Sequence, residues 1–597
     1  MSDRWAVALA LATAFGAWSS MPVPLWAAVA LAAVALACRR PVLVCIAAAV
    51  VASALGARSW AGLRPPVAGT TIEGRATLVS DPVSLDGAVR AELRLGSRRV
   101  EAWARGPSAP ALRPLLAGER VDVTGRLSPV PAHSRAYLAG RHIAARLNVA
   151  AVGRSSPGGP AARVANDVRR TLVRGTASFP ARDRALFTGF VLGDDRDQDP
   201  VSVDDFRGAG LSHLLAVSGE NLAFVLALAG PALRLLGLRG RFVAGVALLL
   251  AFGILTRWEP SVLRAAAMAG ITLLAATVGR PVSTLRVLAL AVTALLLVDP
   301  LLVGSVGFAL SCGACAGIAL LAGPLSRRMP LPVAVTLAAQ AGVAPVLVTT
   351  FGGVPLASVP ANLLAVPAAA PVMVWGLVAG LPAGLVGGPA AALLHLPDRA
   401  FVAWIGWVAR WAAALPLGQL GAVQVLLLAA VAVTGTVSRR LRRVALVGAL
   451  GVCLWPALGP VAPSTGRSLG GDGRLWRQGP ASVLVVGRPR PGPLLAALRG
   501  ARVRRISLVA LTGSGPSARA GLDAVLARHP ARLVLTAADA VEGATVTVGD
   551  LRVTVTAVRP RLEVDVTSAR RGGRSCNDRS VPGAEPAVPG RSCQPGG

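Results

Sequence analysis

The residues best able to do chemistry gather between Gly210 and Gly230, in the stretch GLSHLLAVSGENLAFVLALAG. Both ends are apolar, and the whole is long enough to span a bilayer. Its middle is wrong for a plain span. His213 sits one turn in, and Ser218-Gly219-Glu220-Asn221 sets a hydroxyl, a glycine, a carboxylate and an amide near mid-membrane depth. A charged side chain at the centre of a membrane helix costs about 2.5–3.5 kcal/mol on insertion scales, so such residues face a bundle interior or a watered cavity. An unbroken helix would put His213 and Glu220 on one face, two turns apart. A break at Ser218-Gly219 would instead aim two half-helix ends at whatever fills the cavity. The set is read as pathway-lining, against the plainer alternative of a polar helix–helix contact. A second set recurs further on: Arg264 one turn into its span, Asp299-Pro300, Gln340, and Asn362 between Pro360 and Pro367. Arg264 is expected to face Glu220 or a polyanion. Cys312 and Cys315 have CxxC spacing inside a small-residue membrane segment, which favours core packing over redox or metal chemistry.

These residues sit in a chain of 597, 54% hydrophobic and 15% charged, with a mean hydropathy of +0.60. No soluble domain buries so much apolar surface, so the expected class is a polytopic α-helical membrane protein with soluble attachments. The balance is 61 basic against 29 acidic residues, net +32. Every basic residue other than histidine is Arg; the chain has no Lys. Part of that charge belongs to topology and to a GC-rich composition. The rest favours a polyanionic partner, nucleic acid or anionic lipid. Without Lys there is no GxxxxGK[ST] phosphate loop, so a partner ATPase or the proton gradient must supply energy.

Taken in order, residues 1–63 hold three apolar segments, read as an anchor that stays. Residues 64–158 alternate with period two between Gly, Pro and Ser breaks and read as about five strands. That suits an OB-like barrel, with Trp103 and Tyr137 as its main aromatic candidates for nucleic-acid contact. Residues 159–209 comprise an interfacial amphipathic helix near 160–175 and a linker. The linker's acidic cluster (Asp194, Asp195, Asp197, Asp199, Asp204 and Asp205) reads as a solvated loop rather than a cation site. Residues 210–462 are expected to hold about ten spans. The basic loops at Arg4, Arg39-Arg40, Arg234/Arg239/Arg241, Arg280/Arg286, Arg327-Arg328 and Arg439-Arg440-Arg442-Arg443 then fall on one side. By the positive-inside rule the N-terminus is cytoplasmic and both soluble domains lie outside, with Arg257 the main exception. Residues 468–566 alternate strands and helices in an α/β pattern. Residues 567–597 are Arg/Gly/Ser/Pro-rich and expected to be disordered, with Cys576 and Cys593 able to pair outside the cytoplasm.

Nearly the whole chain resembles the ComEC-type DNA-uptake channel of bacterial competence. Leu211-Ser212-His213-Leu214-Leu215-Ala216-Val217-Ser218-Gly219, preceded by Leu192-Gly193-Asp194, is similar to that family's HLLAISG signature. Arg264 matches its helical arginine. Asp299-Pro300, Phe308, Gln340, Pro345, Phe351, Asn362 and Pro367 resemble its Competence-domain pattern. Where many members read SGLHV, Glu220-Asn221 follow Ser218-Gly219 here, adding a carboxylate and removing a histidine. The β domain resembles the family's OB-like DUF4131 region. The C-terminal domain resembles its metallo-β-lactamase-like domain, whose LTHxHxDHxGG segment ligates two metals that activate water. Here Gly513, Gly515, Ser517 and Ala518 stand where ligands would be, and His529 alone makes no site. The expectation is therefore a degenerate metallo-β-lactamase-like fold with no metal, no cofactor and no enzyme activity.

The resemblance implies a channel in the inner (cytoplasmic) membrane for single-stranded DNA. Its implied partners are a DNA-receptor protein outside, a helicase or ATPase inside, and a second copy in a homo-oligomer. Two alternatives stand beside it. One is a secondary transporter of a small anionic solute, coupled to protons through His213 and Glu220. The other is a degenerate homologue that transports nothing.

Overall fold

Gly16 lets the first two long helices touch: a Cβ there would overlap the backbone of Ala49. These helices are α1 (Asp3–Ser19) and α3 (Pro41–Gly62), with α2 (Leu25–Cys38) beside them. The structure is a computed structural model that describes residues 2–568, apart from 65–66, 68, 86, 280–281, 438–440, 459–462 and 560. The expected tail past 568 with Cys576 and Cys593 lies outside the described residues, as do Arg280, Arg439 and Arg440 and the side chains of Arg442 and Arg443.

The alternating segment forms β1 (Thr71–Leu78), β2 (Val83–Leu85), β3 (Ala88–Leu95), β4 (Arg98–Arg105), β5 (Arg120–Ser128) and β6 (Ile143–Ser156). The short helices α4 (Ser108–Leu112) and α5 (Arg135–Ala139) interrupt them. The order is β1-β5-β6-β4-β3-β2, and β1 also pairs with β3. Five strands therefore close on themselves, with β4 and β6 parallel and the other pairs antiparallel. Closure removes the exposed strand edges. Inward residues such as Leu78, Leu93, Val121 and Leu147 fill the interior.

Next come α6 (Pro160–Gly175), α7 (Ala181–Leu192) and α8 (Pro200–Gly208). The expected amphipathic helix exists, but it does not lie free on a surface. Asn166 and Arg169 of α6 are buried, and the helix wedges between barrel and bundle. Arg169 donates to the carbonyls of Leu192 and Leu255 and, at 2.8 Å, to Asp81 of the barrel. Burial alone would push the Asp81 carboxyl up, but the Arg169 and Arg257 guanidiniums hold it below the usual carboxylate range. Arg257, the topological exception in the sequence, is thus engaged by the barrel: it reaches Asp81 at 3.0 Å and Asn166 at 2.7 Å. The acidic cluster also differs from a solvated loop. Asp194, Asp204 and Asp205 are buried and paired with arginines. Each is a charge that folding could bury only with its partner in place.

The bundle continues as α9 (Gly219–Arg234), α10 (Leu238–Leu255), α11 (Pro260–Thr277) and α12 (Thr284–Val298). Then follow α13 (Val306–Gly317), a π-helical segment Ile318–Ala322, and α14 (Gly323–Ser326), and after them α15 (Leu331–Phe351). A two-residue strand β7 (Val354–Pro355) precedes α16 (Ser358–Val378), α17 (Gly380–Val386), α18 (Gly388–Leu394) and α19 (Leu396–Ala414). β8 (Gln419–Leu420) pairs with β7 and leads to α20 (Ala422–Val437) and α21 (Leu441–Leu458). Among the described residues six helices are long and apolar enough to cross a membrane: α3, α10, α11, the run Val306–Ser326, α15 and α16. Shorter apolar helices, α2 and α12 among them, accompany these. The chain is a polytopic helical membrane protein. The expected span near 211–236 begins later, at Gly219, and the short α17 and α18 were not foreseen. The two ends of α12 are pinned to different parts of the chain. Arg286 donates to Asp3 at 2.8 Å, and Asp299 lies 2.9 Å from His142 of the barrel.

The C-terminal region contains β9 (Ser464–Leu469), β10 (Gly473–Gln478), β11 (Ala481–Val486), α22 (Pro491–Gly500), β12 (Ile506–Leu511), α23 (Pro516–Arg528) and β13 (Ala531–Leu535). Their order is β13-β12-β11-β10-β9, with the first three parallel. A second sheet, β14 (Thr545–Val548), β15 (Leu551–Ala557) and β16 (Glu563–Ser568), covers one face, and α22 and α23 cover the other. The hairpin β9–β10 and strand β16 escaped the sequence reading.

Candidate functional site

The stretch around Gly210–Gly230 is not one helix. It turns at Gly210, makes a 3₁₀ turn over Ser212–Leu214, and starts α9 only at Gly219. Ser218 is the N-cap: its hydroxyl accepts from the Glu220 N–H at 3.2 Å and donates to Asn221 Oδ1 at 3.3 Å. This satisfies one of the backbone donors that a helix start leaves orphaned. Asn221 Nδ2 donates to the Phe190 carbonyl at 2.9 Å, fixing α9 to α7, and Ser261 of α11 donates to the Val217 carbonyl at 2.8 Å.

His213 and Glu220 therefore belong to separate elements, and the shared-face arrangement does not occur. Both are exposed on the protein surface. Among the described residues no hydrogen bond or ion pair reaches the Glu220 carboxylate. Its position in the first turn of α9 has a simple physical account: a carboxylate there complements the positive end of the helix dipole by about 0.3–1 kcal/mol.

Arg264 does not pair with Glu220. It is 6% exposed, and a Cβ on Gly219 would come within 2.6 Å of its guanidinium. Its Nε donates to Ser311 Oγ at 2.6 Å, and Nη1 reaches Met268 Sδ at 3.0 Å and Cys315 Sγ at 3.1 Å. All three acceptors are neutral, and among the described residues no carboxylate lies within ion-pair distance. Arg264 also lies near the N-terminal end of α11, where the dipole disfavours a cation. Cys315 thus does more than pack, since its sulfur helps hold the arginine.

Gln340 lies half-buried on α15 with no hydrogen-bond partner among the described residues. Asn362 donates to the Ser358 carbonyl at 2.7 Å, one turn back on α16. The carriers of these residues form a cycle of neighbours: α9 touches α11, α11 touches α13, α13 touches α15, α15 touches α16, and α16 returns to α9. The α13–α15 contact is close because Gly313, Gly317 and Gly342 leave no side chain between the backbones. The structure thus distributes Ser218–Asn221, Arg264, Gln340 and Asn362 around one ring, and leaves His213 at its approach.

Two further features were missed. Trp404, Trp407 and Trp411 stack along α19 with ring centroids 5.2 and 6.2 Å apart; their W-x2-W-x3-W spacing was visible in the sequence. His395 and Asp398 form a fully buried pair at 2.8 Å, with Phe179 and Phe187 edge-on to the imidazole. Nothing local marks that pair, because its packing partners are distant in sequence.

Residues 190–442, the segment that carries the ring, match the Competence protein family. The chain is also similar to ComE operon protein 3 of Bacillus subtilis (strain 168), 29% identical over 222 residues. That similarity covers 36% of this chain and 28% of the relative, so the chain aligns with under a third of the relative's length. No solved structure matches the chain. By these two matches the helices that hold Arg264 lie in a segment that matches the Competence protein family, and the chain is similar to a ComE operon protein.

Proposed function

We propose that the chain is a channel that passes one strand of DNA through the cytoplasmic membrane during natural transformation. The observation that carries this reading is Arg264, a buried guanidinium without a carboxylate partner in a closed ring of helices. A polyanion crossing a low-dielectric layer needs cations whose charge is not already spent on a neighbour. The ring's other polar groups, at Ser218, Asn221, Gln340 and Asn362, would supply hydrogen bonds along the same path. A solute transporter coupled to protons through His213 and Glu220 would have to use them from separate elements, since they do not share a helix face.

The soluble parts fit this role. Support for an OB-like barrel is its five-strand closure, its parallel β4–β6 pair and the helix α4 between β4 and β5. Arg105 and Arg146 lie over the Trp103 ring, each 5.6 Å from its centroid; Arg146 is also paired with Glu101 at 2.6 Å, so Arg105 is the one of the two with charge to offer a nucleic-acid strand beside the ring. Support for a metallo-β-lactamase-like C-terminal domain is its helix–sheet–sheet layering. The turn after β12 carries Gly513, Gly515, Ser517 and Ala518, whose side chains offer no zinc ligand set. Among the described residues no group of three or more His, Cys, Asp or Glu could hold a metal. The domain on this reading guides DNA rather than cutting it. On this reading the N-terminus lies in the cytoplasm and both soluble domains lie outside. The Asp3–Arg286 and His142–Asp299 contacts at opposite ends of α12 favour that arrangement. A receptor outside and an ATPase or helicase inside complete the pathway.

The test is transformation frequency in a host strain lacking only this gene. A fall to background, restored by the wild-type gene, supports the reading. An unchanged frequency, or loss of uptake of a small anion instead, ends it.

A further inference from the structure

Away from the ring, a cavity of about 800 Å³ opens where all three parts of the chain meet. One wall is the C-terminal domain, with Pro489 and Pro491 ahead of α22 and the alanine face of α23 from Ala520 to Ala527. The facing wall is the bundle, from Pro200 and Val201 at the start of α8 to α7 and α19. Gly87, in the β2–β3 turn of the barrel, reaches the rim.

The charges around this cavity are unevenly matched. Arg182, Arg410 and Arg528 line it, one each from α7, α19 and α23. Asp205 serves two of them, with Arg182 Nη2 and Arg528 Nε each at 3.3 Å. Asp199, the other acid in the lining, is committed to capping α8, where it accepts from the Ser202 N–H at 3.2 Å. Arg410 has neither a hydrogen bond nor an ion pair among the described residues and meets Asp205 only through the longer reach of its charge. The Arg182 Nε is also buried without an acceptor. Guanidinium groups with unused donors are suited to a phosphate, which they meet in a fork. Apart from Ser517 and two glycines, the remaining lining is proline, alanine and valine, a surface for the flat face of a base. The size lies within the range of small-molecule sites.

We propose that this cavity holds a nucleotide unit of a single DNA strand on its way from the soluble domains to the ring. The phosphate sits on Arg410 and Arg182, and the base lies against the proline and alanine walls. This inference rests on the DNA-uptake reading and adds a place of handover to it. The supporting geometry is the junction itself, whose lining comes from the barrel turn at Gly87, from α7, α8 and α19, and from the C-terminal domain.

The test uses full-length protein in detergent and a fluorescein-labelled oligothymidylate, with affinity read by anisotropy over a salt series. Arg410→Gln is expected to weaken binding roughly tenfold and to lower the salt slope by about one unit, as loss of one phosphate contact requires. Ala520→Trp fills the cavity from the exposed side of α23 without changing any charge, and is expected to weaken binding to a similar degree. It also serves if Arg410→Gln does not fold. Wild-type affinity in both variants overturns the cavity assignment and leaves DNA uptake standing. Absence of oligonucleotide binding by the wild-type protein overturns the uptake reading and the cavity with it. Vesicles of phosphatidylglycerol are the control for a lipid headgroup. If they displace the oligonucleotide from the wild type but not from Arg410→Gln, the site belongs to lipid and the proposal falls.

Discussion

The barrel seam and the helix ring each bury an arginine almost completely, and they treat it in opposite ways. Arg169, 2% exposed, has Asp81 and Asp194 within reach and two backbone carbonyls as further acceptors. Arg264, 6% exposed, has among the described residues a hydroxyl, a thioether and a thiol as acceptors and no carboxylate. In the seam the charge is balanced from within, so it contributes to holding barrel and bundle together. In the ring no carboxylate among the described residues balances it, which on the proposed function leaves its field available to an arriving anion. Burial alone therefore does not distinguish a structural cation from a working one; the nature of its acceptors does.

The seam is where this contrast breaks most visibly. Asp81→Asn leaves Arg169 buried with its nearest carboxylate gone, and is expected to cost about 3–5 kcal/mol. The measurement is the thermal midpoint of the full-length protein, and an unchanged midpoint would show that Asp81 does not balance Arg169. His529 gives a third treatment of a buried base, which is to shed the proton. Burial, and then Arg528 beside it, push its imidazole down to about 4 from 6.5. Between those values the unfolded chain binds more protons than the folded one, so stability falls as pH drops from 6.5 to 4, by about 3 kcal/mol in all. His529→Phe should flatten the stability profile in that window; an undiminished slope would assign the protons to another group.

The ring variant should behave in the reverse sense to the seam variant. Arg264→Gln orphans no carboxylate, so its midpoint should stay within about 1 kcal/mol of wild type. Transformation should nevertheless fall at least tenfold, and Arg264→Lys should sit between, with charge but no fork. A destabilised Arg264→Gln protein would make the two arginines alike and remove the contrast. The smallest effect is expected at Glu220→Gln, about 0.3–1 kcal/mol from the lost dipole complement and little change in transformation. A deep loss of transformation there would return Glu220 to the pathway.

Local pattern made much of this legible. Period-two alternation located five barrel strands, and apolar runs located most bundle helices to within a few residues. The break considered at Ser218-Gly219 falls where α9 begins, with Ser218 as its N-cap, although the segment before it is a 3₁₀ turn rather than a half-helix. What stayed hidden depends on contacts between distant segments. Asp81 and Arg169 are separated by the whole barrel, and nothing near Asp204-Asp205 announces arginines beyond position 490. The partners of Arg264 were hidden for the same reason, since Ser311 and Cys315 read as small residues at a helix contact. Glu220 misled because an acid in an apolar run suggests a pathway, whereas a first-turn acid is also an ordinary helix-end residue.

The neighbouring carboxylates of α8 have a mechanical consequence. Asp204 grips Arg499 of α22 and Asp205 grips Arg528 of α23, so one short helix is keyed to two helices of the C-terminal domain. The same backbone runs on through the Gly210 turn to the cap of α9. Only residues 209–218, with the 3₁₀ turn Ser212–Leu214 among them, separate the two helices, so on the proposed function a tilt of that domain would be passed toward the ring through this short link. A strand drawn across one would load the other.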